Sequence, residues 1–410
     1  MFPSRPPDYS SATVASTLRK YCRPDMPAAP RHGTVNLIVY LVESFMDPDD
    51  LGFHYSSDPI PNVRALRRAH LGGYGIVPEE FGGSASTEFE ALTGMSSSFL
   101  PEGSVAYRLY LKHPIPSLPA LLRRLGYATT AVQADPRFLY DRERVYPLLG
   151  FENVVWLHEA VGVERAPGGW WASDQAVVQA VIQATQRAHP AFVFAFPSST
   201  HGPYNRGTYR DSDLDVLDLP VTKATTEVKE YINSLRVADR AIGSLVEYFR
   251  GRPDSTIIAV LGDHLAPLSD ENLRTFFVHL SGMPGPEKAL RLRRVPLLVW
   301  ANFPLSHEEP DLSINSLPAY LLEKMKIPPS GLLAVSDAAR QRLPILGKYV
   351  RTADGRVWSR ESLPTDERQL LEDYRLLQHD VLLGRRYSLG DSASTTSSCD
   401  APPPQNRSSP

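Results

Sequence analysis

The segment FGGSASTEFEALTG, residues 81–94, places two glycines before three hydroxyl side chains and then turns into a helical pattern. Gly82 and Gly83 permit a tight backbone that a Cβ would oppose. Ser84, Ser86 and Thr87 then fall at or near a helix N-terminus, where free N–H groups and the helix dipole favour an anion. One reading is an ordinary Ser/Thr N-cap. The other is a phosphoryl-transfer nucleophile, which needs a hydroxyl beside an anion cradle. Glu43, Asp263 and His264 are hard or borderline ligands suited to Mn²⁺, Mg²⁺ or Zn²⁺, and a Ser84 alkoxide would complete a four-ligand set. A metal that lowers the pKa of bound water from about 15.7 to roughly 7 would equally make a serine hydroxyl nucleophilic.

The elements that must position these groups are legible as apolar runs. VNLIVYLV (35–42), YATTAVQ (127–133), AFVFAFP (191–197), STIIAVLG (255–262) and VPLLVWA (295–301) are continuous, as in strands covered on both faces. Helical patterns lie between them. From about Thr226 to Phe249, Val228, Ile232, Leu235, Ile242, Leu245 and Phe249 are spaced by three, four or multiples; a second helix follows Ser173 and ends at Pro190. Alternating strand and helix predicts an α/β fold, a mostly parallel central sheet with helices on both faces. In such a sheet the carboxyl ends share one rim, where ligands bind. Glu43, Asp135 (with Arg142 a turn later), His201 and Asp263-His264 each follow a different strand. A lone Asp there is ordinarily a cap, and a lone His a surface residue. Four segments in phase point to a site.

The chain has 410 residues, 42% hydrophobic and 22% charged, with a formal net charge of −3. This composition is that of a soluble globular protein and gives no electrostatic case for a nucleic acid partner. Cys22 and Cys399, near opposite ends, suggest neither a disulfide framework nor a zinc knot. No apolar run approaches the roughly 20 residues that span a bilayer, and MFPSRPPDYSS lacks the apolar region of a secretory signal. As written, the chain reads as soluble and cytoplasmic by default. Residues 1–33 read as a peripheral N-terminal extension, 34–335 as the catalytic α/β domain, 336–390 as a small C-terminal subdomain and 391–410 as a disordered low-complexity tail.

In order along the chain, NLIVYLVESF, GGSASTEFEALTG, GYATTAVQADPRFLYDRERVYPLLGF, FVFAFPSSTHGPY, VLGDHLAPL and DYRLLQHDVLLGRRY resemble the lipoteichoic acid synthase branch of the alkaline phosphatase superfamily, often labelled sulfatase-like. The resemblance covers about residues 34–387. It implies an alkaline phosphatase-like fold and metal-dependent transfer of a phosphoglycerol or similar headgroup through a phosphoserine intermediate. It also implies one divalent ion, with Mn²⁺ favoured, a phospholipid or phosphodiester donor, and a glycan or polyol hydroxyl as acceptor. Position by position, Glu43, Asp263 and His264 match the family's metal ligands. Ser84 matches the nucleophile, which also touches the metal. Asp135, Tyr140, Arg142 and His201 match the substrate-binding positions.

Serine stands where the family usually has threonine, which preserves the chemistry. Gln133 replaces a histidine and Tyr140 a tryptophan of the family's headgroup site, so headgroup identity is what these changes touch. Ser84 is followed by Ala-Ser-Thr-Glu and not by the x-Pro-x-Arg that sulfatases proper need, which argues against sulfate ester hydrolysis by that route. Phosphoethanolamine transfer, phosphodiester hydrolysis and a degenerate, headgroup-binding relative are the alternatives. Relatives usually carry membrane helices before an extracytoplasmic catalytic domain. Here a lipid donor would be reached by a soluble enzyme or through a separate membrane partner.

Geometry suggests that Arg142 and His201 hold the phosphoryl group while Asp135 fixes a headgroup hydroxyl or amine. The competing reading of Arg142 is a surface pair with Asp141 or Glu143. Trp170 and Trp171, after Gly168-Gly169, could line a sugar site, although loop packing explains them equally well. His279 and His307 lack ligand spacing, and RLRRVP (291–296) reads as the solvated start of a strand.

Overall fold

The structure is a computed structural model, and it describes residues 4–21, 35–204, 207–209, 214–217 and 223–389. Its centre is an eight-stranded sheet of β1 (Asn36–Val42), β2 (Leu71–Ile76), β3 (Ala128–Gln133), β4 (Asn153–Trp156), β5 (Ala191–Phe196), β6 (Thr256–Gly262), β7 (Arg294–Ala301) and β8 (Asp311–Ser313), in the order β4-β3-β5-β1-β6-β7-β2-β8. Every neighbouring pair is parallel except those made by β7, which runs against both β6 and β2. The five apolar runs are all strands. β1, β5 and β6 are buried along their whole length, the reason they read as unbroken hydrophobic stretches.

The strands not legible in the sequence are β2, β4 and β8. LGGYGI carries three glycines, which weaken a strand signal, but they are required by crowding: a Cβ on Gly73 would lie 1.9 Å from the carbonyl oxygen of Pro310. β4 and β8 are only four and three residues long.

Helices cover both faces. Asp174–Arg187 packs on β5 and β3 and against the long helix Lys223–Arg250, which also meets Pro61–Ala69. Ser84–Thr93 lies against Leu317–Lys324 and Leu118–Arg124. Towards the C-terminus, Ile345–Leu346, Tyr349–Arg351 and Val357–Ser359 form a small antiparallel sheet, and the helix Thr365–Leu382 packs on Leu332–Arg342. The core is continuous across both parts, since Leu346, Val350, Leu370 and Tyr374 share one cluster with the central strands.

The N-terminal stretch expected to be peripheral contains a helix, Ser11–Tyr21, that buries Val14 and Leu18 in that core. It is tied to the C-terminal helix, where Lys20 and Tyr21 bond the Asp373 carboxylate at 3.1 and 2.8 Å. Cys22, Cys399 and the tail 391–410 lie outside the described residues. The basic run differs from expectation too. Arg291 pairs with Asp50, Arg293 with Glu80, and the Arg294 guanidinium lies 3.8 Å from the centre of the Tyr74 ring.

Candidate active site

The register of the sheet decides what meets at its carboxyl rim. Val42 is opposite Gly262, so Glu43 and Asp263 leave adjacent strands side by side. The Asp263 amide still donates to the Val42 carbonyl at 3.1 Å, and the Thr200 hydroxyl, after β5, donates to the Glu43 carbonyl. Gln133 is opposite Phe196, which brings Ala134-Asp135 beside Pro197-Ser198 in the same way.

Ser84 reaches this rim by a different route. Gly82 and Gly83 have φ of 82° and 80°, in the left-handed region, and Gly83 caps the helix Ser84–Thr93 with no side-chain hydrogen bond. Ser84 is therefore the first helical residue and no N-cap. All ten residues of the helix are buried. The preceding loop is stitched to the segment that carries Asp263 and His264: Phe81 bridges to Leu265, the Leu265 amide donates to the Glu80 carbonyl at 3.0 Å, and Thr87 Oγ1 donates to the Asp263 carbonyl at 2.7 Å. Arg293 fastens the same loop through the Pro78 carbonyl at 3.1 Å and the Glu80 carboxylate at 2.9 Å.

Ser84 Oγ donates to Glu43 Oε2 at 3.3 Å. His264 Nε2 lies 3.4 Å from Glu43 Oε1 and 3.2 Å from Asp263 Oδ2. One ligand atom each from Glu43, Asp263 and His264 falls within 4.8 Å of the others, and all three residues are buried. His264 Nδ1 faces the Leu265 carbonyl at 2.9 Å, which fixes the ring and leaves Nε2 to point at the carboxylates. Ser44 supports the cluster from a left-handed backbone, φ 49°: its amide donates to Asp263 Oδ1 at 2.7 Å and its hydroxyl to Glu43 Oε1 at 2.8 Å. Its position next to Glu43 was the only signal for it in the sequence.

Burial pushes the Asp263 carboxyl up, and the neighbouring Glu43 charge pushes it further, with His264 opposing. Burial also acts to raise Glu43, but His264, His201 and the Ser44 and Ser84 hydrogen bonds outweigh it and the net direction is down. His264 is lowered by burial and raised more by Asp263 and Glu43. Asp263 Oδ2 is buried with no hydrogen-bond partner among the described residues. Two carboxylates, one of them with an orphaned buried oxygen, and one imidazole nitrogen fit a divalent cation, whose charge would relieve the crowding of carboxylates.

A second buried cluster lies one helical turn along from Ser84. Glu88 accepts from Arg142 Nε at 3.0 Å and Nη2 at 2.5 Å, and from Tyr146 Oη at 2.9 Å. Arg142 Nη1 donates to Asp135 Oδ2 at 2.7 Å, and Ser198 Oγ donates to Asp135 Oδ1 at 2.6 Å. Gln133 donates to the Tyr146 hydroxyl. Arg142 and Glu88 are 0% exposed. The surface pairing is thus excluded for Arg142: Asp141 pairs with Arg144 and Glu143 with Arg137. The free phosphate fork is not seen either, because Glu88 and Asp135 occupy it. Glu88 was missed in the sequence, having looked like one of several polar residues in a helix.

Tyr140 sits beside this cluster at φ 55°, with the Arg142 and Arg108 guanidinium carbons 5.2 and 5.7 Å from its ring centre. His201 is exposed, its Nδ1 is 2.6 Å from the Gly202 carbonyl, and its ring centre is 4.9 Å from that of Trp171. His279, on the helix Arg274–Ser281, and His307, on a loop, are both exposed.

The sequence profile of the sulfatase family matches residues 35–325. The chain belongs to the sulfatase family. Its fold is alkaline phosphatase-like, and membership of the sulfatase family makes it an enzyme. Among curated proteins, this sulfatase-family chain is 32% identical over 386 residues to a protein of Rhizobium meliloti (strain 1021) described as "Putative cyclic beta-1,2-glucan modification protein"; the match takes in 88% of the chain but only 57% of that relative's length. Among solved structures, it superposes on a Streptococcus pyogenes phosphoglycerol transferase, GacH, in complex with sn-glycerol-1-phosphate, with TM-score 0.75, 18% identity and coverage of 95% and 98% of the two chains. It also superposes on the lipoteichoic acid synthase LtaP of Listeria monocytogenes, with TM-score 0.64, 17% identity and coverage of 92% and 98%. These likenesses establish the fold. Among the described residues no helix is long and apolar enough to cross a membrane.

Proposed function

We propose that this enzyme transfers a substituted phosphoryl group, of the phosphoglycerol type, from a phospholipid donor to a hydroxyl of a glycan, with Ser84 as the nucleophile. The observation that carries the reading is the hydrogen bond from Ser84 Oγ to Glu43 at 3.3 Å, beside Asp263 and His264 at the start of a buried helix. Glu43, Asp263 and His264, with Ser84, would hold one divalent ion, for which Mn²⁺, Mg²⁺ and Zn²⁺ all suit the donors. When bound, the ion would stabilise the Ser84 alkoxide and the charge on the phosphoryl oxygens. The glycan acceptor is supported by the description of the curated relative, and the phosphoglycerol group by the ligand of the streptococcal enzyme.

In the first step a bond forms between Ser84 Oγ and phosphorus, and the ester bond from phosphorus to the lipid alcohol breaks. Ser84 passes its proton to Glu43, the acceptor of its hydrogen bond, and takes it back when the second step frees Oγ, while the departing alcohol gains a proton of its own. His201 is the candidate donor, through Nε2, since its Nδ1 is directed at the Gly202 carbonyl. In the second step the acceptor hydroxyl oxygen bonds to phosphorus, the bond to Ser84 Oγ breaks, and the hydroxyl proton passes to His201. Arg142 and Asp135 act here as the buried support of Tyr140 and the rim.

A donor labelled in its phosphoryl group, quenched during turnover and analysed by peptide mass spectrometry, should place the label on Ser84. Ser84→Thr should keep labelling, and Ser84→Ala should abolish it. Label on Ser86 or Thr87 would refute the assignment.

A further inference from the structure

Beside His201 stands a feature that the proposed chemistry leaves unused. Residues 165–172 form a small hairpin: Arg165 bridges Ala172, the Ala166 amide donates to the Trp171 carbonyl at 3.0 Å, and the Gly169 amide donates to the Ala166 carbonyl at 2.8 Å. The Arg165 guanidinium pins its base to the His158 carbonyl at 3.0 Å. The tip carries Trp170 and Trp171, whose rings stand at 87° with centres 6.3 Å apart. Trp171 packs, its ring centre 4.9 Å from that of His201 and 6.1 Å from that of His158. Trp170 is equally close to His158, at 6.1 Å, yet remains 59% exposed.

We propose that this hairpin is the acceptor subsite and that a pyranose ring of a neutral glycan stacks on Trp170, with one of its hydroxyls directed towards His201. The inference rests on the glycan-acceptor reading above and assigns residues to it. An indole offers the C–H face of a sugar a flat apolar surface with an electron-rich π cloud, while its edge and its neighbours serve the hydroxyls. Preorganisation favours binding, because the hairpin is already hydrogen-bonded and little order remains to be imposed. The position is right as well. Trp171 touches His201, the candidate proton donor and acceptor.

A bilayer is the other surface that seeks exposed aromatics, and Phe138 on the neighbouring loop is 74% exposed. Next to it, however, Arg137 lies 3.3 Å from Glu143 and 3.7 Å from Glu159. Insertion would strip water from those charges at high cost. Sugar hydroxyls could hydrogen-bond to them instead.

The test uses the full chain, with a neutral β-linked gluco-oligosaccharide as probe in calorimetry and as acceptor in turnover. Trp170→Ala should weaken oligosaccharide binding roughly tenfold. In turnover it should shift the partition of the labelled phosphoryl group from glycan towards water by a similar factor. Trp170→Phe should restore most of both, which a merely structural role would not explain. Unchanged affinity and partition in Trp170→Ala would overturn the proposal. So would phosphatidylglycerol vesicle binding that falls in this variant while oligosaccharide binding stays constant. Ser84→Ala separates the two claims: full transfer by that variant would sink the Ser84 chemistry, whereas its oligosaccharide affinity still reports on Trp170 alone.

Discussion

Removing Arg142 should cost far more than a surface arginine, and the amount can be reasoned from its surroundings. Its guanidinium is wholly enclosed and donates to Glu88 at 2.5 and 3.0 Å and to Asp135 at 2.7 Å. Without it, two buried carboxylates lose their counter-charge. Breaking a buried pair from one side costs about 3–5 kcal/mol, whereas removing both partners for apolar residues of similar size can be close to neutral. Arg142→Met and Glu88→Met should therefore each be strongly destabilising, and the double variant should cost less than their sum by roughly 2–3 kcal/mol. Urea unfolding of the four proteins at pH 7 gives the cycle. The pH dependence adds a sign. Burial pushes Glu88 up and Arg142 holds it back. With Arg142 gone, folded Glu88 retains a proton that the unfolded chain releases above the usual carboxylate pKa. Arg142→Met should thus lose stability, relative to wild type, as pH rises from about 4.5. Additivity within about 0.5 kcal/mol, or no such relative loss, would refute the paired-burial argument.

Elemental analysis of the purified protein should show about one divalent ion per chain in wild type and its loss in Asp263→Ala; equal metal content in both proteins would eliminate this site. Gly262→Ala should unsettle the same centre from the backbone, because its Cβ would lie 2.0 Å from the Phe45 carbonyl oxygen. We expect a loss of about 1–3 kcal/mol in unfolding measurements together with weaker metal retention, and wild-type values in both would contradict the close approach. Glu90 is raised by burial from 4.5 to about 8, the Ser97 and Asn315 backbone groups opposing. Its favourable contribution is complete below its unfolded pKa and is lost as pH rises towards about 8, with a slope approaching 1.4 kcal/mol per pH unit. Glu90→Gln should lack that component, so identical pH–stability curves for the two proteins would show that Glu90 does not titrate this way.

Much of the fold and half of the residues of the candidate site were legible before any coordinates. Strands buried on both faces must be apolar throughout, so five of them announced themselves, and the polar residue that follows such a run has to lie at a sheet edge. That is why Glu43, Asp135, His201, Asp263 and His264 could be gathered from positions scattered over more than half of the chain. The glycines before Ser84 were equally readable, since a left-handed turn leaves few other choices. Sequence patterns report local periodicity and turn chemistry, and for these residues that was sufficient.

Only the tertiary structure decided which partner each of these groups meets. That Glu43 and Asp263 are abreast follows from the register Val42 to Gly262, set by packing across the sheet. The reversal of β7 could not be read from VPLLVWA, because strand direction leaves no mark in an apolar run. Arg142 looked like a surface or substrate-facing residue, yet it closes on Glu88, 54 positions earlier in the chain. Ser44 reaches Asp263 through a backbone angle that its side chain does not advertise. Trp170 and Trp171 are the same residue type side by side, and only the hairpin leaves one half-buried against His201 and the other exposed. Ion pairing, register and exposure are properties of residues distant in sequence, brought within a few ångströms by the burial of other residues, so no local pattern encodes them.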